Sequence, residues 1–561
     1  MSDPLFLGFD LSTQQLKAAL IDRKGHLVHE SAVHFDRDLP QFGTTNGALH
    51  GDEPGEVYCP VIVWIEALDV LMSRLSTANV AFDRIVAVSG AAQQHGSVYW
   101  DGAAHSLLHS LDPSQALASQ LVPEAFSTTK CPIWQDSSTT EECKIIENAL
   151  GGDQAVADLS GSRAYERFTG AQILKLYRKH PRVYENTSRI SLVSSFLASL
   201  FLCDIAPIEV SDASGMNLMD IEKHTWSDAL LDVCGPNLRS KLGPDPVLGG
   251  TSFGAVGAYW VKRWNFHSSC IVAPFTGDNP STVVSLSSAG DVILSLGTST
   301  TLLIDIPPLH PGHSEAVVMP KRTTTSHLLA HPTSKGSSIA MLCYKNGALA
   351  REYVRDHHAQ KDWDTFNKLV ESTPPGNNGL MGFYFPLFEI IPQNVIGDYF
   401  FNNGQPVRAF DDTKVHPRAI LESQLLSLKV RIEDIVPGSH GTKEEDVNDE
   451  PLKRLLLTGG GSANQVIRQM AADILDLDTY VAKSKEGGSV GGAILALYAW
   501  WKLQGAEGDL DDLKRELHME DFQLVAKPNP ETVQVYDGLD HLYRRCEKMV
   551  MQLNKHNAKD E

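Results

Sequence analysis

Two stretches of the chain share one pattern of apolar and polar positions. Leu5 to Phe9 is an apolar run ending at Asp10, a small polar turn follows, and Leu16 to Ile21 returns apolar. Much later, Asp291 to Leu296 is again apolar, Gly297 breaks the run, hydroxyls cluster from Thr298 to Thr301, and a second apolar run reaches Ile304. Each stretch predicts a β-hairpin with its polar tip exposed. Such tips offer backbone N–H groups and hydroxyls, those of Ser12 and Thr13 in the first, to phosphate oxygens. Asp10 stands beside them, where a divalent cation or its water could sit. Small polar residues stand at the tip of any strand-turn-strand unit, but their repetition in both halves suggests two domains of related plan.

Between the hairpins, Val63, Trp64, Ala67, Leu68, Leu71 and Leu75 fall at helical spacing and predict a helix covering one face of a sheet. A strand from Ile85 to Ser89 empties into Gly90-Ala-Ala-Gln-Gln-His95-Gly96, at the carboxyl end of a buried strand, where open α/β sheets bind ligands. A lone histidine is more often structural than functional; two preceding glutamines in a Gly-flanked loop strengthen the case for His95. Ile133 to Ser138 reads as a further strand end, with Asp136 either capping a helix that runs from near Thr139 to Leu150 or meeting a ligand. In the polar segment Gly161–Gly170, Arg163 and Arg167 could fork onto hydroxyls or a carboxylate, or pair with Glu166 at the surface. Ile190 to Leu202 predicts a core helix, and Ser211 to Met216 a loop. Cys270 to Phe275 predicts a buried strand ending in Thr276-Gly277-Asp278-Asn279-Pro280. Asp278 is the carboxylate best placed for chemistry, and Asp-Asn-Pro is equally a helix N-cap with Pro at the first helical position.

In the second half, Met341 to Val354 predicts a helix, another starts at Trp363, and Leu380 to Phe385 is a strand. Arg454 to Thr458 is a strand, Gly459 to Asn464 a Gly-rich turn and Gln465 to Leu475 a helix, an order that lets backbone approach a nucleotide with a helix N-terminus near phosphate. Gly487 to Ala493 opens a helix continuing to Trp501, and Glu531 to Asn554 is a polar-faced final helix. The acidic stretch from Asp434 to Pro451 reads as a solvated loop. No G-x-x-x-x-G-K-[ST] string occurs, and Asn464 takes the place of the third Rossmann glycine. Gly487 to Gly491 matches G-x-S-x-G, but Lys485 and Glu486 stand where a nucleophile elbow needs an apolar strand.

A chain of 561 residues exceeds one core, and two large units suit it. Hydrophobic content of 42% with 21% charged residues is ordinary globular composition. The net charge of −21 argues against nucleic-acid and anionic-membrane surfaces. It leaves phosphate ligands open, since backbone N–H groups and a cation can hold them. Eight scattered cysteines without a C-x-x-C pair fit reduced thiols of a cytoplasmic protein. Neither a secretory signal nor an apolar run of spanning length is expected, and nothing signals an obligate protein partner.

The paired hairpins look like the phosphate hairpins of the actin-like ATPase superfamily. With the Gly-Asp-Asn-Pro turn and the Thr-Gly-Gly-Gly loop added, the chain resembles the FGGY family of carbohydrate kinases from end to end. Asp-Leu-Ser-Thr-Gln-Gln-Leu-Lys, Gln-Gln-His-Gly-Ser, Ser-Arg-Ala-Tyr-Glu-Arg-Phe-Thr-Gly and Phe-Thr-Gly-Asp-Asn-Pro look like strings of its eukaryotic xylulokinase branch. The resemblance implies an α/β fold of two actin-like ATPase (ribonuclease H-like) domains around a central cleft. The sugar would lie on 1–285 and the nucleotide on 286–561. It implies ATP with Mg2+ as phosphoryl donor and D-xylulose as acceptor, giving D-xylulose 5-phosphate. Asp278 would be the general base and would grip the sugar with His95, Arg167 and Asn279, although Arg163 could exchange roles with Arg167. Trp363, Gly460, Gly461 and Asn464 would hold the adenine nucleotide, Gly297, Thr298 and Ser299 would lie near its phosphates, and Asp10 would act on the magnesium shell. Two rivals remain at this stage: another pentulose or polyol kinase of the same fold, and a non-catalytic actin-like ATP-binding protein.

Overall fold

The computed structural model describes residues 3–307, 320–436, 452–482, 487–519 and 522–560. Most of the expected acidic loop, 437–451, lies outside these residues, as do Lys485 and Glu486. The chain forms two compact units, one of Met1–Leu286, Arg322–Ile339 and Glu486–Glu520, the other of Ser287–Lys321, Ala340–Lys485 and Asp521–Glu561. The first break between the units falls at 286/287, beside the single division expected from sequence at 285/286, and two later segments return to the first unit.

In the first unit Leu5–Leu11 and Gln15–Asp22 form the expected hairpin, with Asp10 opposite Lys17. Leu5–Leu11 also runs parallel to Ile85–Ala92. That strand is three residues longer than expected and carries Gly90, Ala91 and Ala92 inside the sheet. The sheet order is Gly254–Ala255, Ile271–Val272, Ile85–Ala92, Leu5–Leu11, Gln15–Asp22, Leu27–His34, with Thr276–Gly277 pairing onto Ala91 and Ala92. Alternation along the first strand splits its side chains between two cores. Leu5, Leu7, Phe9 and Leu11 join a cluster with Trp64 and Leu68 of the expected helix Val61–Thr77 and Phe196 of the helix Val193–Leu202. Phe6 faces the other way, into a smaller cluster with Val490, Ile494 and Leu497.

Those last residues belong to the helix Gly488–Leu503, which explains the returning segment. It lies directly on the sheet: a Cβ at Gly8 would overlap the backbone of Ser489 and Ala493, and one at Gly492 would come 2.7 Å from Gly90 Cα. Gly8 and Gly492 thus let the helix and sheet backbones approach, while within the G-x-S-x-G string Gly491 packs against Ser281 of the helix Asp278–Leu286 and Gly488 faces the Asp10 carboxyl.

In the second unit a sheet runs in the order Ser338–Tyr344, Thr300–Ile306, Asp291–Leu296, Arg454–Thr458, Thr479–Ala482, Phe522–Ala526. The second hairpin is antiparallel, and its first strand is parallel to Arg454–Thr458, with Ser295 opposite Thr458. Hence the hairpin tip and the Gly-rich turn emerge at the same end of the sheet. The expected helix at Met341 is instead the strand Ser338–Tyr344, and helix begins only at Ala348. A strand buried on both faces is a continuous apolar run, which periodicity does not separate from a buried helix. For the same reason Thr187–Leu192 is strand where the core helix was expected to begin. The final helix is broken between Pro530–Asp537 and Asp540–Asp560.

Candidate active site

Carboxyl groups gather in the first unit at the ends of the parallel strands. Asp278 follows Thr276–Gly277 as the first residue of the helix Asp278–Leu286, so the helix starts at the carboxylate and not after it. Its Oδ1 accepts from the Asn279 backbone N–H at 2.9 Å and from Asn279 Nδ2 at 3.2 Å, not from the later N–H groups that an N-cap serves. Burial, then the charges of Asp10 and Asp212, push its pKa up to about 7. Asp10, 7% exposed, is pushed to about 6 by burial, against the pull of Lys17. Its Oδ1 has no partner among the described residues, and a Cβ on Gly488 would come 3.0 Å from its carboxyl carbon.

Asp212 is buried, accepts from Ser194 Oγ at 2.5 Å and is raised to about 7 by burial. Gly277 makes room for it: a Cβ there would strike Gln94 Cγ at 2.5 Å and Asp212 Oδ1 at 2.9 Å. Gln94 Oε1 in turn accepts from Asn279 Nδ2 at 2.9 Å, so the glutamine side chain runs between Asp212 and the Asp278–Asn279 pair. Glu209 caps the short helix Val210–Ala213 and accepts from Thr276 Oγ1 at 2.6 Å, tying the strand before Asp278. Burial outweighs these donors and raises Glu209 to about 8. The expected loop at Ser211 is thus helical, and Asp212 and Glu209 are site residues that sequence reasoning missed. Their string, Glu-Val-Ser-Asp-Ala-Ser-Gly-Met, has neither periodicity nor one of the usual Ser, Thr, Asp or Asn caps at Glu209.

His95 lies at φ +71°, in the left-handed region, and is 5% exposed. Its Nδ1 is 2.8 Å from the Gly215 carbonyl, which can only accept, so Nδ1 carries the proton and Nε2 a lone pair. Burial and the Arg167 charge hold its pKa down at about 3, keeping it neutral, and it stacks on Phe168 at 4.4 Å. A non-glycine residue in strained backbone, buried beside Gln93 amide atoms that have no partner among the described residues, has the marks of a ligand site. Arg167 donates from Nη2 to His327 Nε2 at 2.8 Å, while Arg163 lies over the Tyr165 ring at 3.9 Å. His327 was not found from sequence; it sits in a His- and Thr-rich stretch and reaches the site only through the returning segment. Asp136 is not a helix cap: it accepts from Val57 N, Ser138 and Gln172, holding its own turn. At the first hairpin tip, Ser12 Oγ donates to Gln15 O and Thr13 Oγ1 accepts from Trp134 Nε1.

The second unit assembles the other candidates. Thr298 and Ser299 are exposed at their tip, and the N–H of Ala348 closes onto the carbonyls of Gly297 and Thr298. Gly459 takes φ +78° against the Leu296–Gly297 backbone, where a Cβ would sit 2.9 Å from Leu296 C. Gly460 faces open space. Asn464 caps the helix Gln465–Leu475 and donates from Nδ2 to Asn367 Oδ1 at 2.9 Å. Asn367 lies on the helix Trp363–Ser372, so one amide joins the Gly-rich turn to the element that carries Trp363. Trp363 is half-buried, with Arg355 over its ring at 4.8 Å.

Comparison with known proteins fits this geometry. Residues 127–285 match the N-terminal domain, and residues 292–500 the C-terminal domain, of the FGGY family of carbohydrate kinases. The chain is 40% identical over 548 residues to the xylulose kinase of Rattus norvegicus, covering 97% of both chains. It is 40% identical over 552 residues to the D-xylulose kinase A of Aspergillus niger, covering 93% of this chain and 94% of that one. In fold it is similar to the ligand-bound xylulose kinase from Lactobacillus acidophilus, with a TM-score of 0.76 at 17% identity over 99% of each chain. The two family matches and 40% identity over nearly the whole length place the chain in the FGGY family of carbohydrate kinases.

Proposed function

We propose that this chain transfers the γ-phosphoryl group of ATP to the terminal hydroxyl of D-xylulose, giving D-xylulose 5-phosphate and ADP, with Asp278 as general base. The observation that carries the reading is the Asp278 carboxyl, raised to about 7 by burial and by Asp10 and Asp212, in a chain akin to xylulose kinases end to end. A base with a pKa near the working pH is ionised when needed and still basic enough to take the proton. The hydroxyl's oxygen bonds to phosphorus as the bond to the ADP oxygen breaks, and its proton passes to Asp278. Neutral His95, through Nε2, accepts a hydrogen bond from a sugar hydroxyl, while Arg167 and Asn279 make further polar contacts with the sugar.

In the second unit, backbone at Gly460 and Gly461 and the Trp363 ring hold the adenine nucleotide, with Gly297, Thr298 and Ser299 at its phosphates. Asp10 fits a magnesium role, since its Oδ1 is buried without a partner among the described residues and Gly488 leaves its carboxyl uncovered. Magnesium, when bound with ATP, neutralises phosphate charge, and Asp10 would hold one of its waters. No helix of the described residues is long and apolar enough to cross a membrane. The scattered cysteines support a reducing, cytoplasmic setting.

The test is ADP release with Mg-ATP, with and without D-xylulose, beside D-ribulose, L-ribulose and glycerol. Strong stimulation by D-xylulose alone is expected. Stimulation by another acceptor overturns the pocket assignment, and stimulation by none favours a non-catalytic ATP-binding protein.

A further inference from the structure

Three ligand-type side chains converge on the surface of the first unit, apart from every residue assigned above. His105 and His109 stand four positions apart on the helix Ala104–His109, so both rings lie on one face, their centroids 4.2 Å apart. Asp204 follows Cys203, the C-cap of the helix Val193–Leu202, and turns its carboxylate toward both. His105 Nε2 is 3.7 Å from Oδ1 and His109 Nε2 is 3.9 Å from Oδ2. These separations are too long for hydrogen bonds. One donor atom from each residue nevertheless lies within 4.8 Å of the others. Ligand atoms about 2.0–2.1 Å from a tetrahedral ion are about 3.3–3.4 Å apart, so side-chain rotations that bring these atoms together by up to about 1.5 Å would supply three ligands, with water in the fourth position.

The supporting bonds fit. His109 Nδ1 is 2.9 Å from the His105 carbonyl, which can only accept, so Nδ1 carries the proton and Nε2 is left with its lone pair. This is how metal-bound imidazoles are usually oriented. Asp204 Oδ1 accepts from the Ile205 N–H at 2.7 Å, fixing the carboxylate. The side chains are 67%, 50% and 42% exposed, in the order His105, His109, Asp204, so an ion can enter and keep water at its open position. The neighbouring cation, Arg189, which feels the Asp204 charge, donates from Nη2 to the Leu242 carbonyl.

We propose that His105, His109 and Asp204 bind one divalent transition-metal ion of the zinc type. Two imidazoles and a single carboxylate favour zinc, nickel, cobalt or copper over magnesium or calcium, which prefer oxygen shells. The site is chemically separate from any magnesium that accompanies a nucleotide. The ion would tie the helix Ala104–His109 to the turn that ends the helix Val193–Leu202.

The experiment titrates tag-free, metal-stripped full-length protein with zinc chloride against a chromogenic chelator, and with cobalt chloride by visible absorption. One equivalent should bind and persist in excess magnesium, and cobalt should give tetrahedral d–d bands. Affinity should fall about tenfold or more in His109→Ala and in Asp204→Asn. His109 is exposed and Asp204 half-buried, and an unchanged metal-free melting temperature verifies that each variant is folded. Failure of the parent to bind one equivalent, displacement of zinc by magnesium, or undiminished affinity in both variants would overturn the proposal.

Discussion

Arg167 and His327 are separated by 160 positions and meet at 2.8 Å, guanidinium Nη2 to imidazole Nε2. A guanidinium only donates, so His327 is the acceptor and its Nδ1–H faces Ser162 Oγ at 3.1 Å. Burial and the Arg167 charge hold the ring well below the usual histidine pKa, so it stays neutral and keeps this orientation. If Arg167 binds sugar, His327 aims it. His327→Leu should raise KM for the sugar roughly tenfold, matching about 1.5 kcal/mol for a hydrogen bond to a charged group, with kcat little changed. Steady-state kinetics showing unchanged KM would separate His327 from sugar binding.

Asp278→Asn keeps the size of the side chain and removes the base. Turnover should fall by roughly 10² to 10⁴ while circular dichroism and the melting curve stay close to the parent. Activity within tenfold of the parent would take Asp278 out of that role.

The acid limb of kcat/KM should report the free enzyme's base, with activity lost as the pH falls below about 7. Asp212→Asn removes one of the like charges that raise Asp278, so the limb should move to lower pH. A limb that stays in place would show that Asp212 does not act on the base.

The same carboxyl groups bear on stability. Asp10, Asp212 and Asp278 have folded values of about 6, 7 and 7 against 3.8 for a free aspartate. The folded chain therefore binds these protons more tightly than the unfolded chain. Their contribution is fully present below about pH 4 and is lost as the pH rises through 6 and 7. The melting temperature of Asp212→Asn relative to the parent should rise between pH 5 and pH 8; a pH-independent difference would contradict this.

Gly8 tests the packing of the returning helix. A Cβ there overlaps backbone atoms of Ser489 and Ala493, which no rotamer relieves. Gly8→Ala should cost about 3 kcal/mol or more and lower the melting temperature of the first unit, seen by calorimetry.

Much of this was legible in the chain because it was local. Both hairpins, the strand-turn-helix around Gly459 and the start of a helix at Trp363 announce themselves within about twenty residues, through alternation and glycine breaks. Thr276-Gly277-Asp278 was equally visible as a strand end. The hidden parts depend on distant partners. His327 has no local signal, since its meaning comes from Arg167. Gly487 to Gly492 looks like a loop or a motif until Gly8 and Gly90 are opposite it. Ser338–Tyr344 was misread because burial on both faces removes the alternation that marks a strand.

The return of the helix Gly488–Leu503 to the sheet of Leu5–Leu11 also sets an order of events during synthesis. The first 286 residues leave the ribosome with the Gly8 and Gly90 surface bare, and its cover arrives only after roughly two hundred more residues are made. At about 5–20 residues per second that interval is on the order of tens of seconds. The first unit cannot finish folding as it emerges: both halves of the chain must mature together, and a fragment that stops at Leu286 would keep an apolar sheet face open to aggregation.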